Sequence, residues 1–270
     1  MATAPTGPAQ YLARFSEQTI PCSPYVVAKL GIDKSRCSLK IEDYVILCVP
    51  FQIGFKRSIF MASLSAQELG FFQKYVNAGI GLSIAFNPNK RPEPVKFFVR
   101  CNLLTIGQMK GRDNVGLFVL ELKSCPDQMV IMMGNFLENQ DRLRVQFDDY
   151  GKTGIKMTPE TAKLMGYNMY STIAGPAPAT AEPRRIQIFN LSSKLVEHLE
   201  AAGAPLRPVG ATVAYQFFFQ KYRISTTGVI EESVTLPQGM VRTKSTLGFS
   251  PELVEIIDDY WFNSRKPPVL

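Results

Sequence analysis

Ser23-Pro24-Tyr25-Val26-Val27-Ala28-Lys29-Leu30-Gly31 and Thr158-Pro159-Glu160-Thr161-Ala162-Lys163-Leu164-Met165-Gly166 follow one plan, 135 residues apart. Each places a hydroxyl residue before proline, runs through Ala-Lys-Leu and stops at glycine. The hydroxyl can accept from a free amide of the first turn. Proline at the first helical position has no needed amide to lose, and glycine enters the left-handed conformation that ends a helix. A chain that states one helix twice in the same terms is expected to consist of two related halves.

Other landmarks recur in the same order. Lys56-Arg57 opens an apolar strand ending at Ser63-Leu64-Ser65, with a helical pattern over residues 66–77. Arg184-Arg185 opens another, ending at Asn190-Leu191-Ser192, with a helical pattern expected through Ala202 and a stop at Gly203. Pro126 and Pro251 each begin an amphipathic helix. Met129, Met132, Met133, Phe136 and Leu137 in the first match Leu253, Ile256, Ile257, Tyr260 and Trp261 in the second, a stripe that lies on a core. The three offsets, 135, 127 and 125 residues, differ by what small loop deletions would produce.

Between these helices, residues 95–104, 115–122, 142–147, 154–157, 211–219 and 221–225 are rich in β-branched and aromatic residues and read as strands. Residues 148–152 read as a hairpin turn and residues 175–183 as a loop, while Pro88, Pro92 and Pro94 mark a loop inside the first half. The expectation is a mainly β protein with capping helices, built as two tandem antiparallel β-barrels. Its parts are an N-terminal segment, 1–26, a first domain, 27–138, and a second domain, 139–270 with a C-terminal helix.

Several functions are disfavoured. His198 is the one histidine among 270 residues, which removes most His-dependent triads, and there is no phosphate loop or dinucleotide fingerprint. The pairs Glu231-Glu232 and Asp258-Asp259 read as solvated faces, so no enzyme is expected. Cys22, Cys37, Cys48, Cys101 and Cys125 lack CxxC spacing and read as thiols in a reducing cytoplasm, with no metal site. No apolar run approaches the roughly 18 residues of a membrane span. The net charge of +7 is spread over both halves, without the basic stripe of a duplex-DNA binder, so no DNA partner is expected.

Arginine remains. Arg142 and Arg144 stand at i and i+2, on one face if residues 142–147 are a strand. Asn190 and Ser192 share a strand face in the same way, with Arg184 and Arg185 one strand-length upstream. Guanidinium groups bind phosphates bidentately and stack on bases. Alternate arginines on a strand also simply face water, and Ser192 or Ser193 also reads as a helix cap.

On these residues the second half resembles a PilZ domain, the bacterial cyclic di-GMP receptor fold. That family carries Arg-x-x-x-Arg at the domain entrance and Asp/Asn-x-Ser-x-x-Gly on a later strand. Gln140 to Arg144 and Asn190 to Leu195 stand at these places, with Gln140 for the first arginine and Leu195 for the glycine. The whole chain is similar to two-domain PilZ receptors with a PilZ-like first half. The resemblance implies a non-enzymatic cyclic di-GMP receptor without a cofactor. Its ligand would lie at the domain junction, held by Gln140, Arg142, Arg144, Arg184, Arg185, Asn190 and Ser192. The two departures support a second reading, a degenerate PilZ scaffold that has lost the nucleotide and binds a protein partner.

Overall fold

The computed structural model describes residues 7–88, 93–175 and 182–264. They fall into two compact units, 1–139 and 140–270. The first contains α1 (Pro8–Phe15), β1 (Thr19–Pro21), α2 (Pro24–Leu30), β2 (Ser38–Ile41), β3 (Tyr44–Leu47), β4 (Val49–Gly54) and β5 (Arg57–Ser63). It continues with α3 (Ala66–Phe72), β6 (Gly79–Phe86), β7 (Val95–Gln108), β8 (Val115–Leu122) and the start of α4 (Asp127–Tyr150). Among the described residues, no helix is long and apolar enough to cross a membrane.

The eight strands follow the order β1-β4-β5-β8-β7-β6-β2-β3. In a flat sheet β3 and β4 would lie roughly 29 Å apart. Only Cys48 separates them in the chain, and one residue reaches about 7 Å. The sheet is therefore rolled, and the chain itself brings its ends together. Ser58, Phe60 and Ala62 of β5 and Phe118, Leu120 and Leu122 of β8 alternate into its core.

The second unit begins within α4 and continues through β9 (Ile155–Lys156), α5 (Pro159–Met165), β10 (Tyr167–Ala174), β11 (Arg184–Leu191) and β12 (Leu195–Glu200). β13 (Thr212–Phe219), β14 (Arg223–Thr235), β15 (Val241–Leu247) and α6 (Pro251–Ser264) complete it. The order is β10-β13-β14-β15-β12-β11-β9, and a further β10–β11 pairing closes six strands into an antiparallel barrel.

The two strand orders run alike. β2, the β3–β4 pair, β5, β6, β7 and β8 occupy the places of β10, β11, β12, β13, β14 and β15, and β1 lies on β4 as β9 lies on β11. Bulges recur at Pro50/Gln52 and Ile188/Asn190, and at Leu103/Thr105 and Ile230/Glu232. Ser23 and Thr158 cap α2 and α5 by accepting from the amides of Val26 and Thr161. Gly31 and Gly166 end these helices at φ 67° and 66°. The pairing of Ser65 with Ser192 does not hold, because the strand ending at Ser63 occupies the place of β12, not β11.

Two elements differ from expectation. Residues 142–147, read as a strand, and 148–150, read as part of a turn, belong to α4. The run Leu137-Glu138-Asn139-Gln140-Asp141-Arg142-Leu143-Arg144 is dominated by good helix formers and contains no breaker before Gly151. The helix expected after Ser193 is instead strand β12. Its inward residues are Val196, His198 and Glu200, and two polar residues in the core conceal its period of two. In α6, Leu253, Val254, Ile256 and Ile257 are buried, whereas Trp261 is half-buried at the core's edge. Most of the loop expected over 175–183, residues 176–181, lies outside the described residues.

Candidate functional site

The turn between β11 and β12 is organised by one serine. The Ser192 backbone N–H donates to the Leu195 carbonyl over 2.8 Å. Its Oγ accepts from the amides of Lys194 and Leu195 at 3.3 and 3.0 Å. Leu195 is not among the residues with positive φ, so the turn closes without a left-handed residue where the family has glycine. Ser192 is buried with its hydroxyl engaged by the backbone, which makes it the clasp of the turn.

This turn is fastened to the end of α4. The buried Ser193 hydroxyl donates to the Phe147 carbonyl over 2.6 Å, a second donor beside the Gly151 amide, which reaches the same oxygen at 3.1 Å. Lys194 Nζ lies 2.6 Å from an Asp148 carboxylate oxygen and 5.3 Å from the centre of the Phe147 ring. After the helix, a β-carbon on Gly151 would come within 2.6 Å of the Lys194 side chain, and one on Gly154 within 2.5 Å of Asn190 Oδ1. The chain leaving α4 therefore passes close against the Lys194 and Asn190 side chains at both glycines.

Arg144 is exposed on α4, its guanidinium carbon 4.5 Å from the centre of the Phe249 ring. Phe249 meets Phe147 edge-on at 5.5 Å. A continuous path of contacts thus runs from Arg144 through Phe249 and Phe147 to Ser193 in the turn. Gln140 lies one helical turn before Arg144, on the same face, and its buried Nε2 has no hydrogen-bond partner. Arg142 is exposed, but two residues along a helix is about 200° of rotation, so it does not share the face of Arg144 as a strand would require. Asn190 Nδ2 donates to Glu197 Oε1 at 3.5 Å, on the neighbouring strand.

Arg184 and Arg185 are not brought to this place. They begin β11 while Asn190 and Leu191 end it, a separation of roughly 20 Å along a strand. Arg185 rests 5.4 Å from the Tyr170 ring centre, and Arg184 lines a pocket with Glu182, Leu206 and Arg207. Sequence reasoning missed Phe147, Ser193, Lys194 and Phe249. The signal for Phe249 was its place immediately before the Ser250-Pro251 helix start. For the others the correct helix assignment of α4 was needed first.

Residues 9–140 match the family model of the PilZN3 domain. Among solved structures, the chain is similar to the Borreliella burgdorferi PlzA protein in complex with c-di-GMP. That match has 15% identity, covers 94% of this chain and 97% of that one, and has a TM-score of 0.46. It is also similar to YcgR from Escherichia coli in complex with c-di-GMP, with 11% identity, 96% and 92% coverage and a TM-score of 0.31. The K. pneumonia MrkH–c-di-GMP complex matches at 8% identity, 86% and 87% coverage and a TM-score of 0.30. No curated protein matches the sequence.

Proposed function

We propose that this chain, a PilZ-family protein by its PilZN3 domain, is a non-enzymatic cyclic di-GMP receptor whose second unit holds the nucleotide. The observation that carries this reading is the Ser193–Phe147 hydrogen bond, which seats the β11–β12 turn beside the helix end that carries Arg144. Arg144 supplies a planar fork for a phosphate or the edge of a guanine. Asn190 offers a short amide from the end of β11, and Arg142 adds positive charge from the adjoining helix face. Ser192 and Gln140 act through position, the first by holding the turn. Arg184 and Arg185 have no direct part.

We read the matching strand orders and bulges as an internal repeat in which only the second copy carries the site. Gln52-Ile53-Gly54 stands where the second copy has Asn190-Leu191-Ser192. Counting back from the paired stops Gly31 and Gly166, Arg142 and Arg144 correspond to Gly7 and Ala9. The first copy therefore lacks both cations. All five cysteines are free, in keeping with the reducing cytoplasm to which we assign the protein.

Calorimetric titration of the full chain with cyclic di-GMP tests this reading. Saturable binding is expected, weakened at least about tenfold by Arg144→Ala, with the unfolding midpoint unchanged. Absence of binding at millimolar ligand overturns it. The second reading, a scaffold that binds a protein partner, is favoured by Gln140 in place of the family's first arginine, and it requires that silence.

A further inference from the structure

We infer that the outer face of the first unit binds single-stranded nucleic acid, using Phe98 as a base-stacking platform. β7 presents Lys96, Phe98 and Arg100 to solvent at alternate positions. A phenylalanine on a strand ordinarily stands off the sheet beside its neighbours. Phe98 instead leans across β6. A β-carbon on Gly81 would lie 2.6 Å from Phe98 Cζ, so the ring occupies the space that the glycine leaves empty. Despite this support the residue is 61% exposed, the combination expected when one side of a ring rests on the sheet and much of the rest faces water.

Cations bracket that ring in register. Lys40 of β2 pairs with Gly81, and Gly81 pairs with Arg100 of β7, so one cross-strand row reads lysine, glycine, arginine beneath the ring. The row and Phe98 line one groove of about 400 Å³, together with Glu42, Asn102 and Lys123. The acidic groups nearby have partners other than Lys40 and Arg100: Glu42 accepts from the Tyr75 hydroxyl at 2.9 Å, and Glu121 is met by Asn102 and Lys123 of the groove itself. Lys40 and Arg100 form no ion pair with any described residue.

An exposed aromatic ring between uncompensated cations matches the chemistry of an unpaired base and its flanking phosphates. Every base has a face to stack, so the site is tolerant of sequence, and the phosphates make binding dependent on salt. A duplex keeps its bases stacked within the helix and offers none to Phe98. This excludes the duplex but not the single strand, in agreement with the absence of a dense basic stripe in the sequence.

The test is fluorescence anisotropy of a labelled oligouridylate of about 12 nucleotides, a length typical of single-strand binding sites, titrated with the full chain at low salt. Binding is expected, weaker as salt rises, reduced at least about tenfold by Phe98→Ala and retained by Phe98→Tyr. Because Phe98 is so exposed, the alanine variant should unfold at the wild-type midpoint. Arg144→Ala, which addresses the cyclic di-GMP site, should bind the strand as wild type does, so this inference and the receptor reading fail separately. The inference is overturned by absence of binding, by equal binding of wild type and Phe98→Ala, by a duplex binding as tightly as the strand, or by equal losses in Phe98→Ala and Arg144→Ala.

Discussion

Arg207 reaches both carboxylate oxygens of Glu200, through Nε and Nη2 at 2.8 Å each, with both side chains buried in the second unit. Arg207 Nη1 also donates to the Gly175 carbonyl, and its backbone amide donates to Ser233 Oγ at 3.1 Å. One arginine thus joins the loop after β12 to β10 and β14. Removing it leaves a carboxylate without its partner in the interior, which typically costs about 3–5 kcal/mol. Arg207→Ala should lose stability of that order in urea denaturation at pH 7. A loss below about 1 kcal/mol would show that the pair is not buried as described.

The same cluster sets the acid limit of the fold. Burial raises the Glu200 carboxyl, but the surrounding His198 and Arg207 nitrogens more than offset it and bring it down to about 2. Burial lowers the His198 imidazole below 6.5, outweighing the attraction of Glu200, whose Oε1 lies 3.7 Å from Nε2, beyond hydrogen-bonding reach. For both groups the unfolded chain binds protons more readily than the folded one. Their stabilisation is therefore present above the unfolded values, near 6.5 for the histidine and 4.5 for the glutamate, and is lost as pH falls. The glutamate part is on the order of 3 kcal/mol, lost between about pH 4.5 and 2. Urea midpoints across that range should fall steadily, and Glu200→Gln should flatten the lower part of the curve. A wild-type curve flat from pH 7 to 3 would contradict this.

Ser193 gives a test of the turn itself. Its buried hydroxyl is one of two donors to the Phe147 carbonyl, the other being the Gly151 amide at 3.1 Å, so Ser193→Ala removes one hydrogen bond without orphaning the acceptor, at about 0.5–1.5 kcal/mol. If that bond positions the turn for ligand, cyclic di-GMP affinity should fall as well, although Ser193 is not proposed to touch the nucleotide. Ser193→Thr, which keeps the hydroxyl, should recover part of both. Lost stability with unchanged affinity would separate the turn's fastening from binding.

The features legible in sequence were those written by local chemistry. Ser23-Pro24 and Thr158-Pro159 announced their helices because a cap, a proline and a terminal glycine each act within a few residues. Pro126 and Pro251 marked helix starts for the same reason. What local chemistry does not determine was misread. Arg142 and Arg144 alternate with apolar residues as a strand would, yet lie near the end of a 24-residue helix that began with Asp127. β12 looked helical because His198 and Glu200 occupy core positions, permitted there by Arg207 and Tyr215 from other elements. The candidate site carried both errors: the helix assignment moved Arg142 off the face of Arg144, and the strand assignment kept the turn that a helix would have removed.

The two departures from the family's motif should therefore behave differently. Leu195 begins β12 in extended conformation, and its amide already donates to Ser192 Oγ at 3.0 Å. Glycine there adds nothing to the turn. It would loosen a strand residue by roughly 0.5–1 kcal/mol, and Leu195→Gly should change cyclic di-GMP affinity by less than about twofold. Gln140 is different, because it lies one turn from Arg144 on the same face of α4, with a buried amide nitrogen that no group accepts from. Gln140→Arg adds a second guanidinium there. One further charge-assisted bond is worth roughly 1.5–3 kcal/mol, so affinity should rise about tenfold or more. Calorimetry on the two single variants gives the answer. If instead Leu195→Gly raises affinity tenfold while Gln140→Arg has no effect, the β-carbon at 195 is what obstructs the ligand, and the nucleotide approaches the turn's backbone rather than the helix face.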